Sequence, residues 1–163
     1  MTKYSVGERV RKGLTLRNEM SIKLPALSVN EGMARAAVAA FCAQTDPSAT
    51  ELADIKCAVS EAVTNSIVHA YGDGVGEVRI RVRLFDGGII HIEIRDRGCG
   101  IADVRQARQP LYTTDRDGER SGMGFTVMES FCDGVRVASA LGRGTSVTLI
   151  KRIGGRGLRK EDM

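Results

Sequence analysis

The chain has 163 residues, 42% of them hydrophobic, which is the length and composition of one globular domain with a substantial core. Aromatic residues make up 4% and tryptophan is missing, which argues against a base-stacking platform for single-stranded nucleic acids. The net charge of +4 lies at the ends, because residues 1–20 and 151–163 each carry +3 whereas the stretch between them carries −2, a distribution that argues against specific nucleic-acid binding.

The first residues, 1–18, have no regular pattern, and we expect them to form a flexible basic extension. A short strand is predicted over 19–27, where apolar and polar side chains alternate. Ser28 and Glu31 have the spacing of a capping box, which predicts a helix over 29–44.

The middle of the chain predicts a second helix followed by two strands. Apolar residues at helical spacing predict the helix over 50–70. Strict alternation predicts strands over 77–85 and 89–96, joined by a turn, and gives the first of them a basic outer face.

A long loop is predicted over 97–121, with at most a short helical turn. A helix is predicted over 122–131, and a closing hairpin over 135–140 and 145–153. The remaining residues, 154–163, are expected to form a flexible basic tail.

This order of elements, β-α-α-β-β-loop-α-β-β, predicts an α+β fold. We expect one domain over 19–153, built as a two-layer sandwich with the helices on one face of a mostly antiparallel sheet.

The four cysteines do not form a C-x-x-C pair, and the chain has two histidines; the cysteines are Cys42, Cys57, Cys99 and Cys132. We therefore expect neither a structural zinc site nor a disulfide framework. Free thiols without the apolar block of a secretory signal predict a reducing cytoplasm. No apolar run approaches the roughly 20 residues of a membrane helix.

Three glycine-bearing segments follow one another in the second half of the chain. They are Asp96-Arg97-Gly98-Cys99-Gly100 at a strand end, Gly122-Met123-Gly124 at a helix start, and Gly142-Arg143-Gly144-Thr145 before the last strand. Glycines permit close approach to the main chain, and a helix start favours a bound anion. Each segment alone is more typical of a turn. They match neither a P-loop nor a dinucleotide fingerprint.

The helix predicted over 50–70 carries Glu61, Asn65 and His69 at four-residue intervals, which places them on one stripe. Beside a buried face, an asparagine carbonyl suits Mg²⁺ and a carboxylate can take a hydroxyl proton. A solvated polar face has the same pattern and, for the stripe taken alone, is the commoner explanation. We assign no role to His69.

Together, four ordered motifs resemble the ATP-binding fold that gyrase, histidine kinases and mismatch-repair ATPases share, the GHKL superfamily. The motifs are Glu61-x-x-x-Asn65, Asp96-x-Gly98-x-Gly100, Gly122-x-Gly124 and Gly144-Thr145. Within that superfamily, residues 19–150 resemble the anti-sigma serine kinases of spore-forming bacteria. That likeness is carried by Ser60-Glu61-Ala62-Val63-Thr64-Asn65, Ala107-Arg108-Gln109-Pro110-Leu111 and Glu119-Arg120-Ser121-Gly122-Met123-Gly124-Phe125. Cys99 and the two tails depart from it.

The resemblance implies an adenine pocket. Asp96 would accept the adenine amino group, the backbones at Gly98 and Gly100 would shape the base pocket, and Thr145 would close its side. Further nucleotide contacts are implied for Ile101, Thr113, Ser121 and Met123.

The resemblance also implies the phosphate end of the site. Asn65 would ligate Mg²⁺, and Glu61 would be the general base toward a serine hydroxyl. The loop 102–121 would be a lid over the triphosphate, with Gly122 and Gly124 donating N–H groups to phosphate. This small set suffices for phosphoryl transfer, which needs positioning and charge neutralisation.

The implied partners are a sporulation sigma factor of the sigma F type, which the protein would hold inactive, and an anti-anti-sigma factor, which it would phosphorylate on serine. Arg120 would contact the γ-phosphate or a partner, and Glu119 and Arg35 would contact partners. The protein would be a homodimer. It would not bind DNA or a membrane directly. The alternatives are a non-catalytic ATP-dependent sigma-sequestering module, a stress-response anti-sigma B-type kinase and, last, a histidine-kinase catalytic domain.

Overall fold

The computed structural model describes residues 13–110 and 123–154. The helices and strands in these ranges are β1 (Leu16–Pro25), α1 (Glu31–Cys42), α2 (Ala49–His69), β2 (Glu77–Phe85), β3 (Ile89–Arg95), α3 (Val104–Ala107), α4 (Gly124–Phe131), β4 (Gly134–Ala140) and β5 (Gly144–Arg152). The strands form one sheet in the order β1-β2-β3-β5-β4, in which every neighbouring pair is antiparallel. The predicted element order and the α+β two-layer fold are confirmed.

The sheet buries one face beneath α1, α2 and α4. The buried apolar side chains of the strands include Val78, Ile80, Val82, Leu84, Ile90, Ile92, Ile94, Val147 and Leu149. They pack in one cluster with the apolar stripe of α2, which contains Ile55, Val59, Ala62 and Val63, and with Val38 of α1 and Met128 of α4. Each large side chain buried this way contributes about 1.5–3 kcal/mol, so this helix–sheet contact is the main source of stability.

The opposite face of the sheet carries the charged side chains of the alternating strands. On β2 these are Arg79, Arg81 and Arg83, which alternate with the buried apolar residues. Arg81 forms an ion pair with Glu19 of β1 at 2.8 Å. The basic outer face predicted for this strand is therefore present.

The capping box predicted at Ser28 and Glu31 is wrong. Ser28 lies in a 3₁₀ turn, and the carboxylate of Glu31 accepts a hydrogen bond from the Ser60 hydroxyl of α2. A capping box stands instead at the start of α2, where the Glu51 N–H donates to Ser48 Oγ at 3.1 Å and the Ser48 N–H donates to Glu51 Oε2 at 2.8 Å. Ser28–Glu31 and Ser48–Glu51 have the same spacing, but Glu31 bonds Ser60 instead of capping the start of α1.

Strand β1 begins at Leu16, ahead of the strand predicted over 19–27. Residues 16–18, expected in the flexible extension, therefore lie in the sheet. A bulge interrupts the pairing with β2 just after Leu16, and Arg17 forms an ion pair with Asp86. The exposed polar residues of this edge lack the alternation that a half-buried strand requires, so pairing with β2 sets its start.

The first part of the loop predicted over 97–121 is fixed to the fold. Helix α3 supplies the predicted helical turn, and Asp103 caps it by accepting a hydrogen bond from the Gln106 N–H at 3.0 Å. The Arg108 side chain donates to Glu129 of α4 at 2.9 Å. Arg108 Nη2 also donates to the Val135 carbonyl oxygen at 3.3 Å, so this part of the loop packs beside the start of β4.

Candidate functional site

A buried carboxylate, Asp96, follows the last residue of β3 and has 4% of its surface exposed. Its Oδ1 atom accepts hydrogen bonds from the backbone N–H groups of Gly98 at 3.0 Å and Thr145 at 3.1 Å. Its Oδ2 atom accepts one from the Ser66 hydroxyl at 3.1 Å. These donors fix the carboxylate plane and leave lone-pair capacity on Oδ2, which can accept from an amino group.

Two glycines of the Asp96 motif are required by close backbone contacts. A Cβ atom on Gly98 would lie 2.0 Å from the carbonyl oxygen of Ala70, just past the end of α2. At Gly100, where φ is +75°, a Cβ atom would lie 2.2 Å from the carbonyl oxygen of Ala140. The loop after β3 is therefore clamped between α2 and the β4–β5 turn, which fixes the position of Asp96.

A second polar cluster lies beside Asp96, where the β4–β5 hairpin turns. The Ser139 hydroxyl accepts a hydrogen bond from the Ile101 N–H at 2.8 Å and lies 2.8 Å from the Thr145 hydroxyl. Two predicted nucleotide contacts, Ile101 and Thr145, are thus brought together by a residue that the sequence analysis did not select.

Helix α2 brings Glu61 and Asn65 to the N-terminus of α4. A Cβ atom built on Gly124, the first residue of α4, would lie 3.2 Å from Glu61 Oε2 and 3.4 Å from Asn65 Nδ2. Both polar side chains are half-buried. The predicted pair therefore lies at a helix N-terminus rather than on a fully solvated stripe.

The N-terminus of α4 presents backbone N–H groups at the same place. Met123 is its N-cap residue and makes no side-chain hydrogen bond to the first turn. The first N–H groups of a helix have no partner within the helix, and the helix dipole places partial positive charge there. Next to Asn65 and Glu61, this end of α4 is suited to an anion.

Five predicted site residues lie outside the described part of the chain, namely Thr113, Glu119, Arg120, Ser121 and Gly122. Their roles stay predictions. Arg35, the predicted partner contact, is described: it lies on α1 with 44% of its side chain exposed, and its Nη1 atom is 3.7 Å from Glu31 Oε1.

Sequence reasoning missed two polar residues of the site, Ser66 and Ser139. The position of Ser66 in the sequence could have indicated it. It stands four residues after Ala62 and three after Val63 on the buried stripe of α2, and a hydroxyl buried there requires a hydrogen-bond partner. Ser139 likewise continues the inward-facing series of β4 that Val137 occupies. In each case the partner comes from a distant segment, which periodicity does not reveal.

The cysteines are free thiols in two environments. Burial raises the pKa of Cys42 to about 12, and it likewise raises the pKa of Cys132 to about 12. Cys57 and Cys99 are exposed, and Cys99 Sγ lies 3.1 Å from the carbonyl oxygen of His69. Of the helices in the described part of the chain, none is long and apolar enough to cross a bilayer.

The fold and the ordered motifs have counterparts in known proteins. Residues 24–151 match the family model of the histidine kinase-like ATPase domain. Among solved structures, the RsbU and RsbW domains of a Mycobacterium tuberculosis protein superpose with a TM-score of 0.63 at 22% identity, covering 88% of this chain and 35% of that one. The histidine kinase domain of a blue-light activated histidine kinase from Erythrobacter litoralis gives 0.51 at 19% identity, covering 76% and 61%. These likenesses establish the fold.

Closer relatives define the family. The anti-sigma F factor of Anoxybacillus flavithermus is 53% identical over 139 residues, which cover 85% of this chain and 94% of the relative. The anti-sigma F factor of Bacillus licheniformis is 52% identical over 139 residues, with the same coverage. The chain therefore belongs to the anti-sigma F factor family of histidine kinase-like ATPases.

Proposed function

We propose that this protein is an anti-sigma factor and an ATP-dependent protein serine kinase. It would hold a sporulation sigma factor of the sigma F type inactive and phosphorylate an anti-anti-sigma factor on serine. The observation that carries the proposal is the meeting of Glu61 and Asn65 with the N-terminus of α4, on the helix whose Ser66 bonds the buried Asp96. The names of relatives about half identical in sequence support the sigma F type over the stress-response B type.

Asp96 is suited to select adenine. Its Oδ2 atom keeps acceptor capacity after the Ser66 hydroxyl is bound. Adenine presents an exocyclic amino donor, whereas guanine presents a carbonyl acceptor at the equivalent position. A guanine would leave two acceptors facing each other in a buried place, which costs about 1–3 kcal/mol.

The phosphate end fits a magnesium nucleotide. Mg²⁺ takes oxygen ligands and is usually held by one or two protein groups together with waters and substrate phosphates. Asn65 offers one carbonyl oxygen, and the N–H groups at Gly124 suit phosphate oxygens. Bound there, Mg²⁺ would neutralise charge on the phosphates. Asn65 would be its protein ligand.

Glu61 is the candidate general base. It would take the proton of a serine hydroxyl while that oxygen forms a bond to the γ-phosphorus and ADP leaves. Its place beside Asn65 and Gly124 would bring it near a γ-phosphate bound at the N-terminus of α4. General-base catalysis contributes roughly 10²–10⁴-fold.

Partner binding would use the exposed Arg35 on α1, together with Glu119 and Arg120, which precede α4 in the sequence. Arg120 would also neutralise γ-phosphate charge. We further propose that the protein is a homodimer and acts in the cytoplasm, without direct contact to DNA or membrane.

The second candidate is a sequestering module that binds ATP and sigma factor without transferring phosphate. Incubation with γ-labelled ATP, Mg²⁺ and the anti-anti-sigma factor encoded in the same genome distinguishes the two. Label on a serine of that protein, lost when the serine is replaced by alanine, supports the kinase. Sigma binding that depends on ATP, with no labelled product at any enzyme concentration, supports the module.

A further inference from the structure

Strands β4 and β5 carry a hydroxyl pair at the edge of the site. Ser139 and Thr145 are direct cross-strand partners in the β4–β5 ladder. The next pair on the same face is Val137 with Val147, which packs into the core. The side chains on this face thus change from apolar to hydroxyl at the point where the sheet meets Asp96. An apolar pair would pack equally well at this position.

The Ser139 hydroxyl joins three segments. It accepts a hydrogen bond from the Ile101 N–H at 2.8 Å, and its oxygen lies 3.1 Å from the Gly144 carbonyl oxygen and 2.8 Å from Thr145 Oγ1. A hydroxyl has one hydrogen, so Ser139 donates either to Gly144 or to Thr145 at any moment.

The choice decides what the Thr145 hydroxyl can offer a ligand. If Ser139 donates to Gly144, the Thr145 hydrogen points back to Ser139. If Ser139 donates to Thr145, the Thr145 hydrogen is available to the site. The Thr145 N–H also donates to Asp96 Oδ1 at 3.1 Å, so the residue that carries this hydroxyl is bonded directly to the carboxylate.

We propose that Ser139 is a positioning residue for base recognition: it orients the Thr145 hydroxyl as a donor beside the acceptor Asp96. Adenine presents an acceptor, N1, next to its amino donor, whereas guanine presents a donor at N1 next to a carbonyl acceptor. An acceptor–donor pair made of Asp96 and Thr145 matches adenine at both atoms and opposes guanine at both. The inference rests on the proposed function, because it takes ATP as the ligand of Asp96.

The matched control is Ser146, the next residue along β5. Its side chain points to the other face of the sheet and donates to Glu93 at 3.0 Å. Ser139→Ala and Ser146→Ala therefore remove one hydroxyl each from neighbouring places, and Ser139→Thr keeps the hydroxyl on a strand that accepts threonine readily. If Ser139→Ala does not fold, Ser139→Cys keeps the size and supplies a weak donor.

Dissociation constants for ATP and GTP are measured by calorimetry, with GTP also titrated in competition with ATP. We expect Ser139→Ala to weaken ATP binding about three- to tenfold, the range of one ordinary hydrogen bond. GTP binding should change little, so the preference for ATP falls by a similar factor. Ser139→Thr should restore the preference, Ser139→Cys should give an intermediate value, and Ser146→Ala should leave it unchanged.

Two kinds of result would overturn the inference. A variant Ser139→Ala that weakens ATP and GTP equally, or that unfolds at a lower temperature with the preference intact, would make Ser139 a structural link between Ile101 and the hairpin. A wild-type protein without preference for ATP would overturn the adenine assignment of Asp96 as well. The two failures are distinguished by the wild-type measurement.

Discussion

Ser66 of α2 and Asp96 at the end of β3 are the polar residues that the described part of the fold buries, and a hydrogen bond of 3.1 Å joins them. Buried polar groups cost stability unless they are paired, and a buried pair rarely stabilises more than apolar side chains of the same volume. Ser66 is the residue after Asn65 on α2. This links the proposed adenine and phosphate ends of the site through α2.

Replacement of the buried carboxylate tests adenine recognition. In Asp96→Asn, one side-chain oxygen remains, and it can keep the hydrogen bonds from the two backbone N–H groups. The amide nitrogen then faces the adenine amino group, so that two hydrogen-bond donors oppose each other. We expect ATP binding to weaken by about 1–3 kcal/mol and the preference over GTP to shrink. Calorimetry with both nucleotides measures this, and equal affinity of the wild type for ATP and GTP would remove the assignment.

A charge reversal tests the proposed partner surface. Arg35→Glu should abolish sigma-factor binding and leave ATP binding intact, because the side chain is exposed on α1 and its contact is with Glu31 rather than with Asp96 or Asn65. Lys23→Glu is the control, since Lys23 is exposed on β1 and lies in register with Arg79 on the other face of the sheet. Sigma binding is measured by co-elution with ATP present. Survival of sigma binding in Arg35→Glu would place the contact elsewhere.

The elements could be predicted from sequence because alternation and helical spacing are local consequences of burying one face. The start of α1 was predicted wrongly for a non-local reason. Two S-x-x-E patterns flank the first two helices, at Ser28–Glu31 and Ser48–Glu51, and the contact of Glu31 with Ser60 leaves the second as the capping box. Local spacing contains no information on a partner 29 residues away.

The residues of the candidate site also differ in whether local sequence could reveal them. Glu61 and Asn65 could be selected because they lie one turn apart on one helix. Ser66 and Ser139 were missed because their partners come from other segments. The glycines at 98 and 100 could be found as a pattern, but the sequence does not reveal that each makes room for a carbonyl oxygen of a neighbouring element.

The buried thiol of Cys42 and the partly buried thiol of Cys132 give a pH-dependent prediction. Burial raises the pKa of Cys42 and of Cys132 from the ordinary 9.0 to about 12, so their share of the stability is present below about pH 9 and is lost as the pH rises toward 12. At pH 8, iodoacetamide should label the exposed Cys57 and Cys99 of the folded protein and leave the other two unmodified. Mass spectrometry of peptides, with a sample unfolded in guanidinium as control, measures the labelling. Labelling of Cys42 as fast as Cys57 in the folded protein would contradict its burial.

A methyl group at the start of α4 should disturb the phosphate end of the site. In Gly124→Ala the new Cβ atom lies 3.2 Å from Glu61 Oε2, so the Glu61 side chain must give by a few tenths of an ångström, whereas its 3.4 Å distance to Asn65 Nδ2 is an ordinary contact. We expect phosphorylation to fall by up to about tenfold, less than the roughly 100-fold that a displacement of about 1 Å can cause. The free energy of unfolding should change by less than about 1 kcal/mol, because alanine is the better helix former.

The control for that substitution is Gly32→Ala on α1, where the nearest atom is Arg35 Nη2 at 3.9 Å. It should leave phosphorylation unchanged. Initial rates with labelled ATP and unfolding in urea measure the two quantities. Full activity of Gly124→Ala would mean that Glu61 can retreat without loss, and that its contact with α4 has no role in transfer.

The substitution Glu61→Gln tests the enzyme itself. Glutamine keeps the length and shape of the side chain beside Gly124 but removes the base, so ATP and sigma-factor binding should be retained. Phosphorylation of the anti-anti-sigma factor should fall roughly 10²–10⁴-fold, the usual contribution of a general base. Asn65→Ala is the comparison, because losing the proposed Mg²⁺ ligand should weaken nucleotide binding and transfer together. Single-turnover rates at saturating ATP separate binding from chemistry. If Glu61→Gln transfers phosphate at the wild-type rate, another group takes the serine proton and the role assigned to Glu61 is wrong.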